Sequence, residues 1–419
     1  MDRREFLRAS GGTAALGLAA GLIQPASGLG IIPSAAEESS LSPWQPGFLD
    51  IHHINTGRGN SALAILPDGT SLLIDAGAAT GQNPALNTPR PDASRRPGEW
   101  IARYVQRQLR AANATGLDYA LMTHLHGDHV GQLGAECPDS QTGKYKLTGI
   151  SDVAETVPIS TLIDRGFPEY DFPEKVTDPN ALNYIAFVRS RQARGLTVER
   201  VRVGSATQIA PLRAAKGAQD FAVRILAGDG QVWAGEGETA AAHFPAGAKP
   251  VPPENNCSIA LRIGYGKFAY FTGGDLNCDT NYGQQPWLDI ESMAAKVCGP
   301  VSVSICDHHG YFDATGPEMV RALHPRVWVL QSWHASHPAL SVLANLYSQT
   351  LYPGERDVFC LSLNPATALA TGRFSDNFKS SQGHVLVRVA PGGARYSVLV
   401  LDDGDETDRV KARFGPYAA

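Results

Sequence analysis

The stretch Asp118-Tyr119-Ala120-Leu121-Met122-Thr123-His124-Leu125-His126-Gly127-Asp128-His129 decides how this chain is read. Its first five residues have the apolar, β-compatible character of a buried strand, and the seven that follow carry four metal-capable side chains. His124 and His126 stand two apart, so on extended backbone both imidazoles leave the same side and can hold one ion. Gly127 lets the chain bend, and Asp128 and His129 then open a helix that faces a second ion. The bland alternative is a polar loop whose histidines are satisfied by hydrogen bonds.

Outward from this point the pattern alternates between strands and helices. Upstream, strands are expected over 51–55, 61–66 and 71–75, with Pro67-Asp68-Gly69-Thr70 as the turn between the last two. A loop over 80–98 leads to an amphipathic helix with Ile101, Tyr104, Val105 and Leu109 on one face. Downstream, strands are expected over 161–163, 197–203, 221–226, 258–263, 268–272, 301–305 and 327–331, with helices from 181 to about 194 and over 338–347. A final strand pair is expected over 383–389 and 396–401. This order implies two sheets flanked by helices, a mixed α/β layered fold.

Composition sets the outer limits. The 419 residues are 43% hydrophobic and 18% charged, enough to bury a sizeable core, and no internal linker or repeat divides them. A formal net charge of -5 offers no long-range attraction to nucleic acid, so no stable nucleic-acid complex is expected. At the N-terminus, Arg3-Arg4-Glu5-Phe6-Leu7-Arg8 precedes an apolar run from Ala14 to Ile23 that is too short to span a bilayer. Residues 1–36 therefore read as an export signal of the twin-arginine type, with Ser34-Ala35-Ala36 as a small-residue cleavage site. On that reading residues 37–419 form one domain, handed over by the twin-arginine export machinery to the periplasm or exterior, with no transmembrane segment in the mature chain. A basic start on a buried first helix, or an uncleaved anchor, would give the same letters. The six cysteines contain no Cys-x-x-Cys pair, so they form no zinc ribbon; both disulfides and buried free thiols suit their spacing.

Thr-His-x-His-x-Asp-His after a hydrophobic strand resembles the signature of the metallo-β-lactamase superfamily, whose fold is a four-layer αββα sandwich with metals at one sheet edge. Leu72-Leu73-Ile74-Asp75-Ala76-Gly77 is similar to an earlier motif of that family, in which the aspartate orients the metal-binding loop. Asn256-Cys257-Ser258, with Tyr265-Gly266 and Thr272-Gly273-Gly274-Asp275, resembles the segment ending in the carboxylate that bridges both metals. Asp307-His308-His309-Gly310 resembles the one that supplies the last ligand, and Ser336-His337-Pro338 a later His-Pro motif beside the site. This ordered set is closest to the hydrolase domains of ComEC-type DNA-uptake proteins and the related choline-phosphate esterases of cell-wall teichoic acids.

The resemblance implies a first metal on His124, His126 and Asp275, and a second on Asp128, His129, Asp275 and His309, with His308 at the substrate. A swap of roles between His308 and His309 stays open. Most of the superfamily has another histidine before the bridging aspartate, and His243 is the one candidate here, in a Gly/Pro-rich stretch unlike a strand-end ligand. The implied cofactors are two divalent ions, zinc or alternatively manganese. They would activate water as the nucleophile, with Asp128 or Asp275 orienting it and His308 stabilising the oxyanion or protonating the leaving group. Histidine rather than glutamate at His126 argues against the diiron redox branch.

The expected substrate is a phosphodiester, either a small molecule or a cell-envelope ester. A lactone, thioester or β-lactam is the alternative, and a metal-binding scaffold without turnover is a third reading. His52 and His53 read as structural. Trp233, Trp333, Tyr311 and Phe312 suit core or rim packing better than substrate stacking.

Overall fold

Strand Ala62–Ile65 shows how the sequence builds the layers. Its side chains alternate, so Ala62 and Ala64 enter a core between two sheets while Leu63 and Ile65 face helices on the outer side. Strand Ser71–Ile74 repeats this, with Leu72 and Ile74 inward and Leu73 outward. Strands buried on both faces read as continuous apolar runs, as these do. The structure, a computed structural model, describes residues 40–213 and 220–419. The export signal expected over 1–36 lies outside the described residues.

Among the described residues, the first sheet has nine strands. Their spatial order is Val410–Ala418, Arg395–Leu401, His384–Val389, Leu49–His53, Ala62–Ile65, Ser71–Ile74, Leu117–Leu121, Ile159–Asp164 and Thr197–Arg200. The second has eight, in the order Asp357–Cys360, Val327–Leu330, Val303–Ile305, Phe268–Thr272, Ala260–Tyr265, Phe221–Gly228, Gln231–Trp233 and Ala240–Ala242. Helices Pro97–Ala111, Ile150–Thr156 and Pro179–Gln192 cover the outer face of the first sheet, and Glu291–Cys298, Pro317–Leu323 and Leu340–Leu346 that of the second. The result is a helix-sheet-sheet-helix sandwich. No helix among the described residues is long and apolar enough to cross a membrane.

Parallel pairing positions the site. Ser71–Ile74 runs parallel to Leu117–Leu121, and Phe268–Thr272 runs parallel to Val303–Ile305, which is parallel to Val327–Leu330. The C-terminal ends of these strands deliver Asp75, His124, Asp275, His308 and the segment around His337 to one edge of the sandwich. Ile259 N–H donates to the Thr123 carbonyl at 3.0 Å, which stitches the two sheets together there. The paired histidines His52 and His53 are buried in the first sheet, bonded to Tyr104 and Tyr270, well inside the packing. All six cysteines are free thiols, five of them buried.

Candidate metal centre

The loop after strand Leu117–Leu121 is held by backbone pairing on both sides. Asn60 N–H donates to the Asp128 carbonyl (2.9 Å), Ala76 N–H to that of His129 (2.8 Å) and Gly77 N–H to that of Asn60 (2.7 Å). Gly77 is required by this proximity, since a Cβ there would lie 1.8 Å from the Asp128 carbonyl oxygen. Asp75, in the left-handed region at φ 60°, turns its carboxylate onto the loop. It accepts from Thr123 N–H (2.7 Å), the Thr123 hydroxyl (2.8 Å) and His129 Nδ1 (2.7 Å). That last bond fixes the ring so that Nε2 faces the centre with its lone pair.

Asp275 is the hub. His129 Nε2 lies 3.0 Å from its Oδ1, while His309 Nε2, His124 Nε2 and His308 Nε2 lie 3.5, 3.7 and 3.7 Å from its Oδ2. Asp128 Oδ2 is 2.9 Å from His309 Nε2 and 3.8 Å from His129 Nε2. One ligand atom each from Asp128, His129, Asp275 and His309 falls within 4.8 Å of all the others. Two of the converging atoms, His129 Nε2 and Asp275 Oδ1, are buried without a hydrogen bond. Buried polar atoms that crowd one point without forming a hydrogen bond are what a divalent cation satisfies, and the mixed imidazole-carboxylate set suits zinc and its neighbours. Beside this group, His124 Nε2 sits 3.2 Å from His126 Nδ1.

The charges reinforce one another. Burial opposes ionisation of Asp275, but the surrounding His129, His309, His308 and His124 hold its carboxyl well below the ordinary range. Burial likewise opposes the charge on His129, yet Asp275, Asp75 and Asp128 hold its pKa well above the ordinary value, and the same balance pushes His309 up to about 9. Burial and then His129 drive His124 well below. The site thus gathers carboxylates and imidazoles that compensate one another and that could exchange protons for metal.

The structure brings Asp75, His124, His126, Asp128, His129, Asp275, His308 and His309 together. His337 packs against His309 with its ring tilted by 33° and the centroids 5.1 Å apart, and Trp333 packs edge-on to both. Tyr311 packs on His308, whereas Phe312 is 60% exposed. Trp233 lies under Arg224 on an outer hairpin. His243 is not among the four residues whose ligand atoms converge. It follows Ala240–Ala242, the edge strand of the second sheet, four strands across from the one that delivers Asp275, and its ring packs on Phe244.

Three participants carry no motif. Glu254 Oε1 accepts from Leu125 N–H between the two histidines of the loop (2.8 Å) and from Arg165 Nε (2.7 Å). Arg165, fully buried, also pairs with Asp229 at 3.1 Å. Asp313 accepts from His308 Nδ1 at 2.7 Å. The only sequence signal for Arg165 is a charge closing the apolar strand Ile159–Asp164.

Residues 55–154 match the family model of the metallo-β-lactamase superfamily, and the two helix-flanked sheets agree with that superfamily's sandwich. No curated protein matches the chain. Among solved structures, CmlA, a diiron β-hydroxylase from Streptomyces venezuelae, is 11% identical over 83% of this chain and 55% of its own, with a TM-score of 0.39. A variant of CmlA β-hydroxylase gives 13% identity over 83% and 54%, at 0.38. A diphosphatase of the PhnP family gives 11% over 67% of this chain and 85% of its own, at 0.30. This chain spans about half the length of the hydroxylase structures it matches.

Proposed function

We propose that the chain is a metal-dependent hydrolase with a dinuclear zinc centre, acting on a phosphodiester. The observation that carries this is the buried convergence of Asp128, His129, Asp275 and His309, with His124 and His126 alongside. Two divalent ions bound there would acidify water and polarise the oxygen of the bond to be cleaved. The chain's own residues do the rest. Asp128, whose side chain is 19% exposed against 1% for Asp275, is the carboxylate that reaches solvent and orients the attacking water. Asp75 and Thr123 hold His129, and Glu254 and Arg165 hold the loop that presents His124 and His126. Trp333 and His337 wall the centre behind His309.

The phosphodiester assignment is supported by the ordered motif set, which is most similar to a branch that cleaves phosphate esters. Export rests on Arg3-Arg4 and the apolar run that follows, and N-terminal sequencing of the secreted protein tests it. For the reaction, the test is hydrolysis of bis(p-nitrophenyl) phosphate by the zinc- or manganese-loaded chain. Turnover that Asp275→Asn abolishes is expected. A wild-type protein that holds metal but leaves this substrate intact rules the phosphodiester reading out and turns the search to lactones, thioesters and β-lactams.

A further inference from the structure

Without His243, which follows the edge strand of the second sheet, the first ion is left with two imidazoles and a shared carboxylate, a poorer set than the second ion has. Four Nε2 atoms surround Asp275. Those of His129 and His309 belong with Asp128 to the second donor group. The other two, from His124 and His308, each lie 3.7 Å from the same Oδ2 atom, and His124 is already paired with His126 at 3.2 Å. His308 therefore stands to Asp275 as His124 does.

Its other nitrogen is committed. His308 Nδ1 donates to Asp313 Oδ1 at 2.7 Å, which leaves Nε2 with its lone pair toward Asp275. This repeats the arrangement of His129, where Nδ1 donates to Asp75 at 2.7 Å and Nε2 faces the same carboxylate. A carboxylate that fixes the tautomer of a histidine from behind is the common support of a metal-binding imidazole. The backbone is shaped for it as well. His308 and His309 are consecutive left-handed residues, at φ 48° and 56°, and that turn directs both adjacent rings to Asp275. Asn255 Nδ2, 3.3 Å from His308 Nε2, is the neighbour that an ion would replace as its partner.

We propose that His308, positioned by Asp313, is the third imidazole of the first ion, in place of the histidine that most of the superfamily has earlier in the chain. His124, His126, His308 and Asp275 would then give the first ion four protein ligands, matching the four of the second. This rests on the reading that the centre holds two ions.

The test counts metal, not turnover. Wild type, His308→Ala and Asp313→Asn are loaded with Zn2+ or Co2+, freed of loose ions, and assayed for metal per chain and for affinity by chelator competition, with circular dichroism to check folding. Wild type is expected to retain two ions and His308→Ala one. Asp313→Asn should retain two at saturation, with the weaker site loosened roughly 10–100-fold. Two ions held by His308→Ala at wild-type affinity would overturn the proposal and return His308 to the substrate. If His308→Ala does not fold, Asp313→Asn decides, and unchanged affinity at both sites overturns it. A wild type that holds a single ion refutes the dinuclear reading itself, whatever the variants do.

Discussion

Replacing Asp75 with asparagine removes one oxygen and the charge from a carboxylate that is 1% exposed and receives three hydrogen bonds. Oδ1 takes Thr123 N–H, and Oδ2 takes both the Thr123 hydroxyl and His129 Nδ1. If the amide oxygen keeps the Oδ2 place, the NH2 group faces Thr123 N–H, donor against donor. If it flips, His129 Nδ1–H loses its acceptor. Either way one buried donor goes unpaired, at about 1–3 kcal/mol. The anchoring of His129 weakens too, and loss of such a support lowers metal affinity roughly 10–100-fold, or about 1.4–2.8 kcal/mol. Urea unfolding of the metal-free protein reads the first effect, and chelator competition reads the second. A folded Asp75→Asn protein with wild-type metal affinity would refute the claim that this carboxylate orients His129, even if its stability has dropped.

Glu254→Gln leaves the buried Arg165 with only the Asp229 carboxylate and should cost about 3 kcal/mol in urea unfolding. Loss of metal retention should accompany it, because Leu125 N–H is held by the same side chain; a fully stable, fully loaded variant would contradict this. Gly77→Ala puts a Cβ 1.8 Å from the Asp128 carbonyl and 2.6 Å from Asn60 N, so the metal loop must move. The expected outcome is a loss of roughly 3 kcal/mol or more together with weakened metal binding, checked by unfolding and metal content. Acid sensitivity comes from the buried histidines of the first sheet. Burial, then Arg107, lowers His384 to about 3, and burial lowers His53 to about 4. Both folded values lie below the unfolded one, so the stability they confer is complete above about pH 6.5 and is lost as pH falls toward 3–4. Each should contribute a slope of about 1.4 kcal/mol per pH unit over that interval. Unfolding midpoints that stay flat between pH 6.5 and 4 would contradict it.

The layers were legible wherever burial follows hydrophobic period. Helix Pro97–Ala111 buries Ile101, Tyr104, Val105 and Leu109, the stripe its spacing predicts, and the central strands fall within one to three residues of their expected bounds. Helix Pro365–Ser375 was not foreseen, for a physical reason. Its buried stripe is Thr367, Thr371 and Ser375, a polar face at helical spacing, and Thr367 satisfies its hydroxyl on the Ala335 carbonyl. Strand Val410–Ala418 was also missed. Its Gly415-Pro416 reads as a break, yet it is the edge strand of its sheet, where proline is tolerated. Strand Asp357–Cys360 was also missed: it opens directly on the charged run Glu355-Arg356-Asp357, and its place is set by parallel pairing with Val327–Leu330.

The centre divides in the same way. Residues that must sit at strand ends with ligand chemistry, from Asp75 through His309, are visible because each follows an apolar run with a short, metal-capable side chain. Their supports are invisible because they are fixed by distance in space and not by spacing. Glu254 reaches Leu125 across 129 residues, and Arg165 reaches Glu254 across 89. A buried guanidinium is costly unless a carboxylate meets it, and a loop N–H between two ligands needs an acceptor that cannot compete for metal. Glu254 answers both needs at once, since Arg165 occupies both of its oxygens and keeps it out of the donor cluster. That coupling makes the geometry of the His124-His126 arm depend on an ion pair outside it. Metal occupancy should therefore respond to Arg165→Met even though no ligand is altered, and a variant that folds and loads normally would show that the loop holds its own shape.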